Sequence, residues 1–198
     1  MDQRLIKLVA AGDVRALASY PVEDVVGFRF ASDSLFEGEV NHWLYIQDSL
    51  LHLAAAGYRF ALCKALLKLG CAIDHAANRR KATPLHYASD GLIGAAGYSA
   101  ADQAKTLQVL LTHGAQLEAR DANGATPLLR AVRTRCDAAV EALLAAGCDV
   151  RAANKSGSTA WDLAQVTSGR GGSGSDEAKR RQQRIIELLA ARRGQQRR

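Results

Sequence analysis

A six-residue pattern, TPLHYA at residues 83–88, recurs along the chain in altered form. The other copies read SLLHLA at 49–54, TPLLRA at 126–131 and TAWDLA at 159–164. Their starting points lie 34 residues apart (49 to 83), 43 apart (83 to 126) and 33 apart (126 to 159). A period in the thirties is typical of stacked-repeat folds, in which each unit buries its apolar side against its neighbours.

The clearest unit begins at Asn123. Asn123-Gly124 is a turn dipeptide, because both residues tolerate a positive φ. Thr126 can cap a helix through its hydroxyl, and Pro127 suits the first helical position, where no N–H partner is needed. Gly147 is placed to end a second helix. Apolar residues at helical spacing define the two helices, Leu128, Ala131 and Val132 in the first and Ala139, Val140, Leu143 and Leu144 in the second.

These residues resemble the ankyrin repeat, whose pattern is T-P-L-H-x-A and whose unit is a β-turn followed by two helices. The resemblance covers residues 47–163 and implies an all-α, ankyrin-repeat solenoid of helix-turn-helix units with short β-turn or hairpin connections. It also implies that His52 and His86 join neighbouring repeats by hydrogen bonds. With 19 arginines among 26 basic residues, the composition favours a small, stand-alone bacterial protein of this family.

The predicted organisation has three parts. Residues 1–46 form an N-terminal capping helix pair and a long aromatic-rich loop, residues 47–194 form the repeats, and residues 195–198 are a frayed basic tail. The repeat units are predicted at 47–78, 79–121, 122–153 and 154–194, the last of which includes the C-terminal cap.

Three segments depart from the family pattern. The loop at 20–46 holds three of the four phenylalanines, and we weigh two interpretations: it packs over the first repeat, or it is a binding loop. Glycines mark an insertion at 90–99 as a further loop. The stretch at 167–175 is rich in glycine and serine and is predicted to be flexible.

The positive charge is concentrated at one end of the chain. From Arg170 onward there are nine basic and three acidic residues, which leaves 26 − 9 = 17 basic and 20 − 3 = 17 acidic residues elsewhere. A basic C-terminal helix can associate with nucleic acid or another acidic surface. No aromatic residue is interleaved with these arginines, which argues against single-strand binding by base stacking.

Residues suited to chemistry are present, but they do not form a recognisable site. The glycine string at 169–174 matches a dinucleotide-binding spacing without the preceding strand that such a motif needs. We find no nucleophile with a base and no set of four metal ligands, so the sequence predicts no enzyme, metal or cofactor. Cys63 is expected in the core, Cys136 can be exposed at a helix start, and Trp161 is expected to be core.

The predicted function is non-catalytic protein–protein interaction through the concave groove of turn tips and first helices. Nucleic-acid or acidic-surface association through the Arg-rich C-terminal helix is the alternative. Arginine is favoured at such interfaces because its planar fork binds carboxylates through two hydrogen bonds. The candidate partner-binding residues are Arg79, Arg80, Lys81, Tyr87, Asp90, Arg120, Asp121, Asn123, Arg130, Arg133, Arg135 and Lys155.

The cysteines and hydropathy suggest a location. Four cysteines without a C-x-x-C pair favour a reducing compartment, and no apolar run reaches the roughly 18 residues that cross a bilayer. The N-terminus predicts an amphipathic helix, not a signal peptide. We therefore expect a cytoplasmic monomer, with export by a secretion system without a cleaved signal as the alternative.

Overall fold

Helix pairs follow one another along the chain in the computed structural model, which describes residues 3–36, 40–91, 98–166 and 175–195. Three sequence predictions fall wholly or partly outside these ranges. They concern the centre of the insertion at 90–99, the flexible stretch at 167–175 with its glycine string, and the end of the tail at 195–198.

Within the described residues the chain forms eleven helices and two strands. They are α1 (Gln3–Ala11), α2 (Val14–Leu17), α3 (Val22–Gly27), β1 (Ser34–Phe36), β2 (His42–Leu44), α4 (Leu50–Ala56), α5 (Phe60–Lys68), α6 (Pro84–Ser89), α7 (Ala100–Thr112), α8 (Pro127–Arg133), α9 (Asp137–Ala145), α10 (Ala160–Gln165) and α11 (Asp176–Gln195).

The helices pack in two layers. The first helix of each unit contacts the first helix of the next, so that α4, α6, α8 and α10 form one layer. The second helices α5, α7, α9 and α11 form the other layer in the same way, and each also packs on its own first helix. The chain is therefore predominantly helical, as predicted, and each of the four predicted units holds one helix pair.

The first helices begin where the sequence predicts. Thr126 caps α8 by accepting the Leu129 N–H at 3.4 Å, and Pro127 occupies the first turn. Asp13 caps α2 by accepting the amides of Arg15 and Ala16, both at 3.0 Å. These caps satisfy amide groups that have no partner inside the helix, and they fix where each helix starts.

The last residue of the recurring pattern is a small one for a packing reason. Ala54, Ala88, Ala131 and Ala164 occupy equivalent places in their first helices, and all four are buried. A methyl side chain lets adjacent helices approach closely, while leucines on the neighbouring turns fill the space between the layers. The core therefore runs along the stack and is not confined to one unit.

The two predicted histidines join neighbouring repeats. His86 Nδ1 accepts the Thr83 N–H at 3.1 Å, and Nε2 on the other side of the ring donates to the carbonyl of Ala125 in the next unit at 3.0 Å. His52 makes the equivalent bond to the Ala82 carbonyl at 3.1 Å. Both rings are fully buried, so the prediction that these histidines join repeats is confirmed.

The segment at 20–46 is more regular than the predicted loop. It contains α3 and an antiparallel hairpin in which Leu35 lies opposite Trp43. Phe30 is buried, donates its N–H to the Asp48 carbonyl at 2.9 Å, and contacts two other phenylalanine rings edge-on. The interpretation that this segment packs on the body is confirmed by these contacts, and the binding-loop interpretation stays a prediction.

All four cysteines are free and buried. The prediction that Cys136 can be exposed is wrong, because its side chain is fully buried and its thiol donates to Gln103 Oε1 at 3.0 Å. Burial raises the pKa of the Cys71 thiol to about 11 and that of Cys148 to about 12. Cys63 lies in the core as predicted, and Trp161 is half-buried against it.

We predict that His86→Ala lowers the free energy of unfolding by about 2–3 kcal/mol, because it leaves the buried Ala125 carbonyl and Thr83 amide without partners. Chemical denaturation measures the change. The matched control is His113→Ala on an exposed helix end, which should shift stability by less than about 0.5 kcal/mol. Equal effects of the two substitutions would contradict the joining role.

Stability should also fall as the pH drops from 7 to 5. Burial lowers the pKa of His52 to about 3 and that of His86 to about 4, so both are neutral in the fold and take up protons near pH 6.5 on unfolding. The stability linked to them is present above pH 6.5 and is lost as the pH falls towards 4.

Asp48 has the opposite effect on the pH dependence of stability. Burial raises its pKa to about 6, so the stability linked to its protonated form is lost as the pH rises through that value. We expect a net loss between pH 7 and pH 5, with each histidine contributing roughly 2 kcal/mol and Asp48 offsetting part of it. Denaturation at both pH values measures the loss. His86→Gln should remove about half of the histidine contribution, and an unchanged pH profile in that variant would count against this explanation.

Candidate partner-binding surface

The turn tips that precede the first helices lie side by side. The Ala122 N–H donates to the Arg80 carbonyl at 2.7 Å, and the Lys155 N–H donates to the Asn123 carbonyl at 3.0 Å. Gly124 permits the second contact, because its φ is +72° and a Cβ there would lie 3.0 Å from the Lys155 nitrogen. Backbone bonds therefore align three successive tips in a row.

Cationic side chains project from this row. Lys81, Arg120 and Lys155 line one cleft, which we call the tip cleft. Arg120 uses one nitrogen for the carbonyls of Gly124 and Ala153, at 3.0 and 2.6 Å, and so stays extended across the cleft. The other residues that line the tip cleft are Asp121, Ala122, Gly124, Ala153 and Asn154.

The tip-cleft cations are not neutralised within the described part of the chain. Lys81 and Lys155 are exposed, and neither they nor Arg120 forms an ion pair with a described carboxylate. Asp121 is buried, and its Oδ1 accepts the amides of Asn123 and Ala125, which shapes the turn. The cleft therefore presents positive charge with its hydrogen-bonding capacity largely unused.

Five candidate residues are not surface residues. The prediction that the repeat leaves their side chains exposed is wrong, because their exposed fractions are 7% or less: Tyr87, Asp90, Asp121, Arg130 and Arg135. Tyr87 donates its hydroxyl to Asp48 Oδ2 at 2.5 Å. Arg135 has a φ of +55° in the connection between α8 and α9. Because these side chains are almost wholly buried, they are not exposed contacts for a partner in this conformation.

The most tightly bound of them form an ion pair between repeats. Arg130 Nε donates to Asp90 Oδ1 at 3.0 Å, and Arg130 Nη2 donates to the other oxygen. Burial alone raises the pKa of Asp90, but Arg130 and His42 outweigh it and hold this pKa well below its usual range. Tyr58 and Gln103 donate to the backbone carbonyl of Asp90, so the residue is fixed on every side.

The hairpin segment covers the neighbouring part of the first-helix layer. We call residues 28–36 and 40–47 the strap. Its His42 ring lies 4.8 Å from the Tyr87 ring, and His42 Nε2 bonds Asp90 Oδ2 at 3.0 Å. Its Tyr45 accepts a hydrogen bond from Arg80 Nη1 at 2.8 Å. The strap thus occupies the N-terminal half of the surface on which we expected a partner.

The sequence did not indicate which strap residues contact the first-helix layer and the turn tips. His42 and Tyr45, together with Asp48 directly after the strap, make contacts with residues more than 30 positions away, which no local pattern indicates. The aromatic density of the segment was the available signal. Asp33 of the strap also pairs with Arg79 at 2.6 Å, so Arg79 is exposed but already matched with a carboxylate.

Arg133 remains available on the open half. It is half-buried on α8, its Nε has no acceptor among the described residues, and it forms no ion pair with them. Burial, and then repulsion from Arg130, lowers the pKa of this guanidinium. Asp90 and Asp121 attract Arg133 without pairing with it.

Four of the six cations in the described helix α11 form ion pairs, in contrast to those of the tip cleft. Lys179 pairs with Asp176, and Arg180 and Arg181 pair with Glu177. Arg184 lies 3.5 Å from Glu141 of α9. The charge of α11 is therefore used largely in its own helix and in docking it on the stack.

Comparison with known proteins supports this repeat architecture. The ankyrin repeat family model matches residues 123–155, the third of the four helix-pair units. Residues 123–155 therefore form an ankyrin repeat. No curated protein is significantly similar to the chain. Ankyrin repeats are generally protein–protein interaction modules and are generally non-catalytic.

Among the described residues, no group of three His, Cys, Asp or Glu side chains could hold a metal ion. None of the described helices combines the length and the apolar character needed to cross a bilayer.

We predict that Arg130→Met costs about 3–5 kcal/mol of unfolding free energy, because Asp90 stays buried without its counter-charge. Combined with Asp90→Leu, the loss should be clearly smaller than the sum of the two single losses. Denaturation of the single and double variants measures this coupling, and additive losses would contradict it. The control Arg180→Met breaks an exposed pair and should leave stability nearly unchanged.

Proposed function

We propose that this chain is a non-catalytic module that binds an extended, acidic segment of a partner protein along its turn tips and the open half of its first-helix layer. The helix pairs continue as an ankyrin solenoid, whose extended surface suits such a segment. The observation that carries the proposal is the tip cleft, where Lys81, Arg120 and Lys155 converge without forming an ion pair with a described carboxylate.

Charge complementarity is the physical basis of this choice. Exposed cations steer an acidic partner to the surface and fix the register in which it binds. Arginine adds directional hydrogen bonds, and Arg120 is held across the cleft by two carbonyls. Of the candidate residues, those retained as direct contacts are Lys81, Arg120, Asn123, Arg133 and Lys155. Arg79 and Arg80 lie at the edge, where the strap engages them.

The contacts of α11 do not favour nucleic acid as the partner. Lys179, Arg180 and Arg181 each contact a carboxylate of their own helix, so fewer free charges remain to neutralise phosphates. The four free, buried cysteines support a cytoplasmic location, because nothing in their arrangement depends on an oxidising compartment. We propose that the chain acts there as a monomer.

The test is affinity capture from the source cell with Lys81→Glu and Lys155→Glu combined. Both side chains are exposed and unpaired among the described residues, so the double change reverses the charge of the cleft while folding is retained. We expect loss of the captured partner at an unchanged Tm. Quantitative mass spectrometry of wild-type and variant captures measures it.

The matched control is Lys64→Glu with Lys68→Glu, two exposed lysines on α5 in the other layer. This pair makes the same change in net charge away from the tips and should keep the partner. Retention of the partner by the tip-cleft variant, or equal loss in both variants, would count against the proposal.

A further inference from the structure

An apolar cavity of about 210 Å³ lies between α8, α10 and α11. Most of its wall is aliphatic, formed by Val132, Leu163, Ala164, Val166 and Ile185. Val166 of this wall is half exposed. Gln182 donates its amide to the carbonyls of Ala164 and Val166, at 2.8 and 3.2 Å, and fixes the end of α10 against α11.

Gln182 and Arg135 also line this cavity, and its remaining polar side chain is Arg133. This is the guanidinium whose Nε is buried without an acceptor and which pairs with no carboxylate among the described residues. A half-buried cation of this kind is stabilised when an anion binds beside it, because the part of the guanidinium that solvent reaches can then donate charge-assisted hydrogen bonds. The cavity thus combines an apolar volume with one unsatisfied positive group.

We propose that this cavity, here called the α8–α10–α11 pocket, binds a large aliphatic side chain of the partner while Arg133 binds a carboxylate next to it. The aliphatic walls select the apolar side chain. Arg133 selects the acidic neighbour through its planar donors. The occupant is therefore a protein segment in which an aliphatic residue is adjacent to Asp or Glu.

This inference rests on the proposed function and makes it more specific. The tip cleft supplies general attraction to an acidic segment, whereas the pocket sets which residue must stand at one place in it. An aliphatic anchor in a pocket, flanked by an arginine, has the composition of an interface hot spot. Arg133 of the pocket lies on α8, the first helix whose turn tip lines the tip cleft, so one segment can reach both.

The test is an NMR titration of the full chain with short capped peptides. The probe is Gly-Glu-Leu-Glu-Gly, followed by a version with Gln in place of both Glu, a version with Ala in place of Leu, and a version with phosphoserine in place of the first Glu. The signals are the Arg133 Nε–H and the methyl groups of Val166 and Ile185.

We expect saturable shifts of all three signals with the Glu-Leu-Glu probe, and at least fivefold weaker binding of the Gln and Ala versions. Arg133→Gln should bind the Glu and Gln versions equally, and Arg151→Gln, an exposed arginine outside the pocket, should behave as wild type. Thermal unfolding of both variants verifies that they are folded.

Several outcomes would overturn the inference. They are no saturable shift up to about 5 mM peptide, equal binding of the Glu and Gln versions to wild type, or tighter binding of the phosphoserine version, which would make the ligand a phosphate. The same variants distinguish failure of the pocket inference from failure of the proposed function. If charge reversal at Lys81 and Lys155 removes the captured partner while Arg133→Gln keeps it, only the pocket inference is wrong.

Discussion

A buried imidazole that bonds two repeats at once determines how the units of this chain stack. His86 reaches the Thr83 amide in its own unit and the Ala125 carbonyl in the next, and His52 does the same one unit earlier. Because both ring nitrogens are used, a neighbouring unit cannot slide without leaving a buried polar group unsatisfied. The turn tips are then held in register, and the cations that they carry come to line one cleft.

The same register creates a buried charged centre. Asp90 at the end of α6 meets Arg130 of α8, and His42 of the strap completes the contact. A buried ion pair adds little free energy of unfolding compared with apolar side chains of similar volume, but removing one partner is costly. We therefore infer that this pair mainly specifies one arrangement of neighbouring repeats. The strap uses this centre as its anchor, and it leaves the C-terminal half of the surface open.

The sequence predicted the features that depend on local chemistry. The caps at Thr126 and Asp13 follow from a side chain bonding an amide two or three residues along, and the histidine bonds recur because the repeat recurs. The partners of Asp90 and Arg130 could not be inferred, since they are 40 positions apart and look like exposed helix residues in any single repeat. The tip-cleft lysines were inferable because their position in the turn places them outside the stack. The strap interrupts the repeat, so no periodicity predicts its fold.

We propose that a partner binds the row of tips and the open half of the first-helix layer. Hydrogen–deuterium exchange of the chain, alone and with its captured partner, can locate this contact. We expect slower exchange at residues 78–82, 120–126 and 153–157 and along α8, with α5 and α7 unchanged. Protection confined to the second-helix layer or to α11 would contradict it.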